Sequence, residues 1–390
     1  MIYLDNNAST RLDPEVWSVM AATAELFGNP SSVHGEGQRA RRAVEEARSE
    51  VARLVGAAEG EVVLTSGGTE SNAAALLGAV AGRAGRIVIS GVEHPSVRES
   101  AIRRASEGGC ELVAVAPEAS GALDAGRVID AIVPGTLLVS VMTANNEYGA
   151  VLPVAEIAAE ARRRGALVHT DAVQAAGRIE IAAERWGVDL LSLSAHKMHG
   201  PKGAGALYVR RGVALTPHTP GGGQEKRRRA GTENTLAIVG FGSAARLAVE
   251  RRSLDAPATA RRRDRLERGI LDRVPDARVL GAGIARLPNT LAVAFSGASG
   301  EALLIRLDLE GVAVSVGSAC SSGTIAPSPA LLALGLTRAE ALSVVRFSLS
   351  RETTDAEIDR VLALLPGVVE DVRQANRSGA LAGASEGGRA

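Results

Sequence analysis

From about residue 36 to about residue 250, short apolar runs of strand length alternate with stretches whose apolar residues recur at helical spacing. This alternation constrains the fold more than any single motif, because parallel strands need long crossover connections and helices are what usually supply them. The strand-like runs are 61–65, 86–90, 112–116, 136–142, 166–170, 190–194 and 204–209. Between them Val44, Ala47, Val51 and Leu54 mark one face of a helix, and 154–164 behaves similarly. The pattern predicts an α/β protein with a doubly wound, mainly parallel sheet of seven strands, and ligands beyond the carboxyl ends of those strands.

Further along, the pattern changes. An arginine-rich stretch, 251–273, reads as a solvated helix face and a domain boundary. Strands near 289–295 and 312–316 are followed by a helix that opens on a Thr354/Glu357 capping box and carries Ile358, Val361, Leu362 and Leu365 as its apolar stripe. These elements predict a second, smaller α+β domain. From Asn376 onward the chain is rich in Gly, Ala and Ser and is expected to be disordered.

Composition narrows the function classes. Lys plus Arg and Asp plus Glu number 44 each, so no bulk field recruits nucleic acid or an anionic membrane. No apolar run reaches the roughly 20 residues that span a bilayer. The start lacks a basic region followed by an apolar one, and the cytoplasm is the expected location. Two cysteines are too few for a disulfide framework or a four-thiolate metal site, and no metal is expected. Cys110 precedes an apolar strand and reads as structural, whereas Cys320 lies in Gly317-Ser318-Ala319-Cys320-Ser321-Ser322-Gly323, a run with little to pack.

Four polar clusters fall where strand patterns end. Thr65-Ser66-Gly67-Gly68-Thr69-Glu70 opens a helix with free N–H groups and a hydroxyl, which can hold a phosphate or only turn the chain. His169-Thr170-Asp171 places a carboxylate at a strand end, as a partner for a cation or as a helix cap. Glu93-His94-Pro95 offers an imidazole that can stack on an aromatic ring and move protons, or simply be hydrogen-bonded. Ser194-Ala195-His196-Lys197 ends on one of only three lysines, the others being Lys202 and Lys226. An ε-amine can deprotonate and attack an aldehyde, which a guanidinium cannot. Jointly, a phosphate cradle, a strand-end aspartate, a stacking histidine and a lysine specify pyridoxal 5′-phosphate better than four unrelated ligands.

With the runs 3–8, 28–34, 65–72, 93–95, 145–147, 169–174, 194–197, 221–232 and 317–320, the sequence resembles the cysteine desulfurases. These belong to the fold-type I, class V aminotransferase group of pyridoxal phosphate enzymes, and the resemblance runs in order from residue 3 to about 360. It implies that Lys197 forms the imine with the cofactor aldehyde and shuttles protons, that Asp171 pairs with the ring nitrogen and that His94 stacks on the ring. Gln174 and Asn146 would lie near the phenolic oxygen. Gly68, Thr69, Ser194 and His196 would bind phosphate, and Thr232 would reach the phosphate of a neighbouring subunit, implying a homodimer. Arg346, with Asn29 and Asn146 as weaker candidates, would bind the substrate carboxylate. Cys320 would take the sulfur of L-cysteine as a persulfide, release alanine, and pass the sulfur to a scaffold or carrier protein for iron–sulfur cluster assembly or another sulfur-transfer route.

The expected division is 1–14 as a segment joining the small domain, 15–252 as the cofactor-binding domain, 253–375 as the small domain with the Cys320 loop, and 376–390 as the tail. Ala195, Thr170, Val173 and Tyr148 depart from the family's usual residues, and none of these changes removes a catalytic side chain. The run Lys226-Arg227-Arg228-Arg229 reads as a loop at the shared site rather than a nucleic-acid patch. Competing readings are a selenocysteine lyase or cysteine sulfinate desulfinase of the same family, and a non-catalytic sulfur-relay module.

Overall fold

The computed structural model describes the backbone of residues 1–321 and 324–386, and the side chains of residues 1–317 and 326–378. After a two-residue strand, β1 (Ile2–Tyr3), the chain builds β2 (Val62–Thr65), β3 (Gly85–Ser90), β4 (Cys110–Val115), β5 (Thr136–Ser140), β6 (Leu167–Asp171), β7 (Leu190–Ser194) and β8 (Gly205–Val209). The last seven form one sheet in the order β2-β8-β7-β6-β5-β3-β4. Five of its strands, β3 to β7, pair in parallel, while β8 runs antiparallel to both β2 and β7. The exception has a simple cause. Only a short turn at Ala195–Lys197 and a loop separate β7 from β8, too little chain for a crossover, so β8 must return beside β7 in the opposite direction.

Strands β2, β5, β7 and β8 are buried along their whole length, which is why they read as continuous apolar runs instead of alternating ones. The helix Gly35–Val55 buries Val44, Ala47, Val51 and Leu54 as its spacing predicted and stops at Gly56 in the left-handed region. The helix Val154–Arg163 buries Val154, Ile157, Ala158 and Ala161.

A second core gathers Leu4, Phe295, Phe347, Ile358 and Leu365 around the antiparallel sheet β12-β15-β10-β9, made of β9 (Ala277–Val279), β10 (Thr290–Phe295), β12 (Ser315–Val316) and β15 (Val344–Ser348). Strand β11 (Val312–Ala313) leaves this sheet to pair in parallel with β1, so the run expected as one strand is two with different partners. Strands β13 (Ser318–Ser321) and β14 (Thr324–Pro327) pair as a hairpin.

The arginine-rich stretch does not break the chain. It is the second half of a 39-residue helix, Thr235–Arg273, whose Phe241 and Ala245 enter the large core and whose Leu266 and Ile270 enter the second. Several of its arginines pair with carboxylates, Arg262 with Asp355 at 3.4 Å and Arg251 with Asp13 at 3.0 Å among them. The capping box is present, with Glu357 N donating to Thr354 Oγ1 at 3.2 Å and Thr354 N to Glu357 Oε2 at 2.7 Å. The helix it opens, Asp355–Glu386, runs through much of the segment expected as a disordered tail. Ala380, Leu381, Ala382 and Ala384 are good helix formers and let it continue. Among the described residues no helix is long and apolar enough to cross a membrane.

Candidate functional site

At the carboxyl ends of β3, β6 and β7 lies a cavity of about 420 Å³. Its lining includes Gly68, Thr69, His94, Asn146, Asp171, Gln174, Ser194, His196, Lys197 and Arg346, ten of the residues singled out from the sequence. Asn29 and Thr232 are exposed and outside it, Asn29 turning its Oδ1 to the Ser31 N–H at 2.8 Å. The Cys320 side chain lies outside the described residues.

Lys197 ends the short turn after β7, and its Nζ donates to the carbonyls of Asn7 and Ala8 at 2.6 and 2.8 Å. Burial, together with the guanidinium groups of Arg178 and Arg346, pushes its pKa down to about 8. Asp171, the last residue of β6, is buried and accepts from Val173 N at 2.9 Å and from Asn72 Nδ2 at 2.7 Å. The same Asn72 amide donates to Ser96 Oγ at 2.8 Å, and Ser96 Oγ meets His94 Nδ1 at 2.8 Å. One hydrogen-bonded chain thus joins the strand-end carboxylate to the imidazole. His94 also caps the helix Pro95–Ser106 by accepting from Ser96 N, so its proton sits on Nε2, and burial keeps the ring's pKa below its usual value.

The opposite wall is made by β15. Arg346 donates through Nη2 to Asp5 Oδ1 at 2.8 Å and through Nη1 to the Asn146 carbonyl at 2.9 Å, and its buried Nε has no partner. Asn145 builds the turn that aims that carbonyl, its Oδ1 accepting from Glu147 N and Tyr148 N. Burial pushes the pKa of His196 down to about 4, which leaves it neutral beside Ser9 Oγ at 3.2 Å. Beneath the site, fully buried His169 is pushed down to about 3 by desolvation and lies between Ser140 Oγ and Ser192 Oγ.

The donor set fits a pyridoxal phosphate. A Cβ added to Gly68 would come within 2.7 Å of Val173 Cγ2, so the helix start closes tightly on the strand-end loop beside Ser194. Two buried polar atoms of residues in the lining, Asn72 Oδ1 and Arg346 Nε, have no hydrogen-bond partner. The neighbouring basic run is partly committed inside the molecule: Arg229 pairs with Glu70 at 2.8 Å. Just before it, Glu225 forms a buried pair with Arg48 at 2.7 Å. Sequence reasoning missed Asn72, Ser96 and Arg178 as members of the site. Asn72 fell inside a quoted motif but had no role until the fold brought it against Asp171, 99 positions away.

Comparison with known proteins agrees with this geometry. The family described as "Aminotransferase class-V" matches residues 2–361. A cysteine desulfurase of Cereibacter sphaeroides is 48% identical over 383 residues, covering 97% of this chain and 98% of that protein. One from Sinorhizobium fredii is 46% identical over 377 residues, with 96% and 97% covered. Among solved structures, a NifS-like protein superposes with a TM-score of 0.88 at 34% identity, covering 95% of this chain and 99% of its own. SspA, solved in complex with cysteine, gives 0.80 at 34% identity, with 91% and 100% covered.

Proposed function

The chain belongs to the aminotransferase class-V family and is a cysteine desulfurase, and from that premise we propose how its residues divide the work. Membership implies pyridoxal 5′-phosphate. Gly68, Thr69, Ser194 and His196 would hold its phosphate, Asp171 its ring nitrogen, His94 a ring face, and Gln174 and Asn146 its phenolic oxygen. When bound, the cofactor supplies an aldehyde for imine formation and an electron sink that weakens bonds at the substrate's Cα and Cβ.

Everything else is done by this chain's side chains. Lys197, with its pKa near 8, presents a substantial fraction of free amine near neutral pH. Its Nζ would hold the cofactor's aldehyde and would move a proton from and back to the substrate. Arg346 would meet the substrate carboxylate with its guanidinium fork, the bidentate geometry this group is suited to. Asn29 is a weaker candidate for the same carboxylate. His94, whose Nδ1 accepts from Ser96 N, would carry its proton on Nε2. The Cys320 thiolate then attacks the substrate sulfur: an S–S bond forms, the C–S bond breaks, and the carbon fragment gains a proton to leave as alanine.

The observation that carries this reading is the convergence of Lys197, Asp171, His94 and Arg346 on one 420 Å³ cavity. We further propose a homodimer in which Thr232 reaches the partner's cofactor phosphate, a cytoplasmic setting, and a sulfur-acceptor protein for iron–sulfur assembly or another sulfur-transfer route. The domain division at 252/253, inside the long helix, belongs to the same reading. Cys320→Ala tests the sulfur step: it keeps the visible absorbance of the lysine-bound cofactor and loses desulfuration of cysteine. Unchanged alanine and sulfide release by that variant would remove Cys320 from the mechanism.

A further inference from the structure

Arg178 lies, half-buried, in the turn that follows β6 and lines a separate small cavity of about 50 Å³. Its guanidinium donates through Nη1 to Gln174 O at 2.8 Å and to Gln174 Oε1, and through Nη2 to Asn6 O at 3.2 Å and Lys197 O at 3.4 Å. All four acceptors are neutral oxygens. Among the described residues no carboxylate forms an ion pair with it, so this half-buried charge is held by neutral oxygens alone.

Gln174 is constrained at both ends. A guanidinium can only donate, so the Gln174 oxygen must face Arg178. The Asn7 carbonyl can only accept, so the amide nitrogen must face it, and Nε2 does so at 3.0 Å. The second N–H of that amide is left for the cavity that Gln174 lines. Without Arg178 the Asn7 carbonyl alone would hold the amide, and the Gln174 oxygen would lose the donor that fixes it.

The charges facing the Lys197 amine come from four groups. Arg178 and Arg346 are positive, Asp171 and Asp5 negative, and burial disfavours a charge on His94 and His196. Arg346 and Asp5 neutralise each other across 2.8 Å. Asp171 is reserved, on the reading above, for the cofactor's ring nitrogen, and Arg178 remains as the unpaired cation. Burial and Arg346 lower the Arg178 pKa to about 9, which still leaves it charged at neutral pH.

We propose that Arg178 is a positioning residue of the desulfurase reaction: it presents the Gln174 amide N–H to the cofactor's phenolic oxygen and places an unpaired positive charge beside Lys197. Its charge disfavours the ammonium form of Lys197, and likewise a proton on the imine nitrogen, while its fork fixes the amide. The proposal rests on the roles given above to Gln174 and Lys197.

The test uses loaded enzyme and variants Arg178→Met and Arg178→Lys, reading the pH midpoint of the cofactor's visible absorbance and the rate of cofactor loss to an excess of acceptor protein. Arg178→Met should raise the midpoint by about one pH unit and speed cofactor loss roughly tenfold. Arg178→Lys should keep the midpoint near wild type, because the charge remains, and still speed the loss, because the fork is gone. If Arg178→Met does not fold, Arg178→Lys alone decides, and an unchanged loss rate overturns the amide role. A wild-type midpoint in Arg178→Met overturns the charge role. Lys197→Ala separates this from failure of the underlying reading, since a cofactor absorbance that survives it would refute Lys197 itself and not Arg178.

Discussion

Replacing Arg346 by methionine keeps most of the side chain's length and apolar stem while removing the charge and the fork. The residue sits in β15 between Ala292 of β10 and Ser315 of β12, so the backbone is held on both sides and the change stays local. Its Nη atoms are occupied by Asp5 and the Asn146 carbonyl, and Nε is the donor without a partner. A substrate carboxylate would therefore compete with Asp5 and the Asn146 carbonyl for the guanidinium's donors. Hydrogen bonds to charged groups contribute about 1.5–3 kcal/mol each, and a bidentate pair about 3–4 kcal/mol after the competition with Asp5 is allowed for. At about 1.4 kcal/mol per tenfold, kcat/KM for cysteine should fall about 10²- to 10³-fold.

A second effect is separable. Arg346 is one of the cations that lower Lys197, so its loss raises the lysine's pKa, and part of the deficit should recover as pH rises from 7 toward 9.5. Initial rates of alanine formation across that range measure both. A kcat/KM within threefold of wild type at every pH would show that the carboxylate binds elsewhere.

Uptake of pyridoxal phosphate by cofactor-free protein should accelerate with pH toward a midpoint near 8, because only the unprotonated Lys197 amine attacks the aldehyde. At pH 7 roughly a tenth of that amine is free, against a few in ten thousand for an ordinary lysine, and a rate still climbing steeply above pH 9.5 would contradict the assignment. Glu93 is fully buried, and burial pushes its pKa up to about 8; its Oε1 accepts from Ser90 Oγ at 2.6 Å and Met142 N at 2.7 Å. Glu93→Gln should therefore stay within about 1 kcal/mol of wild type at pH 7, whereas Glu93→Ala, which strands the Met142 N–H, should lose about 2 kcal/mol in denaturant unfolding. The sign follows from linkage. The folded state holds this proton more tightly than the unfolded one, so Glu93 weakens the fold as pH rises from about 4.5 to 8, and Glu93→Gln should flatten that slope.

What the sequence made legible was whatever announces itself locally. Asp171, His94 and Lys197 each close an apolar run, and parallel sheets place such residues on one rim. What it hid depends on partners brought from afar. Asn72 acquires its role from Asp171, and Arg178 acquires its own from Gln174 and Asn6, the latter 172 positions away. The 251–273 stretch showed its solvated face in its composition and hid the other, which Leu266 and Ile270 bury. Beyond Asn376, alanine-rich helix propensity outweighed the glycine and serine content down to Glu386.

The way residues 1–8 thread the molecule bears on how the site comes into being during synthesis. β1 pairs with β11, Asn6 bonds to Ser348 across 342 positions, and the carbonyls of Asn7 and Ala8 hold the Lys197 amine. At about 5–20 residues per second, a ribosome makes this segment tens of seconds before its partners on β11 and β15 exist. The large sheet has every strand it needs once residue 209 has emerged, but the wall formed by Asp5 and Arg346 does not. A nascent chain stalled between residues 250 and 300 should thus carry a folded sheet and an ungripped lysine. Competence to retain the cofactor should arrive abruptly, with the last strand, rather than grow with chain length.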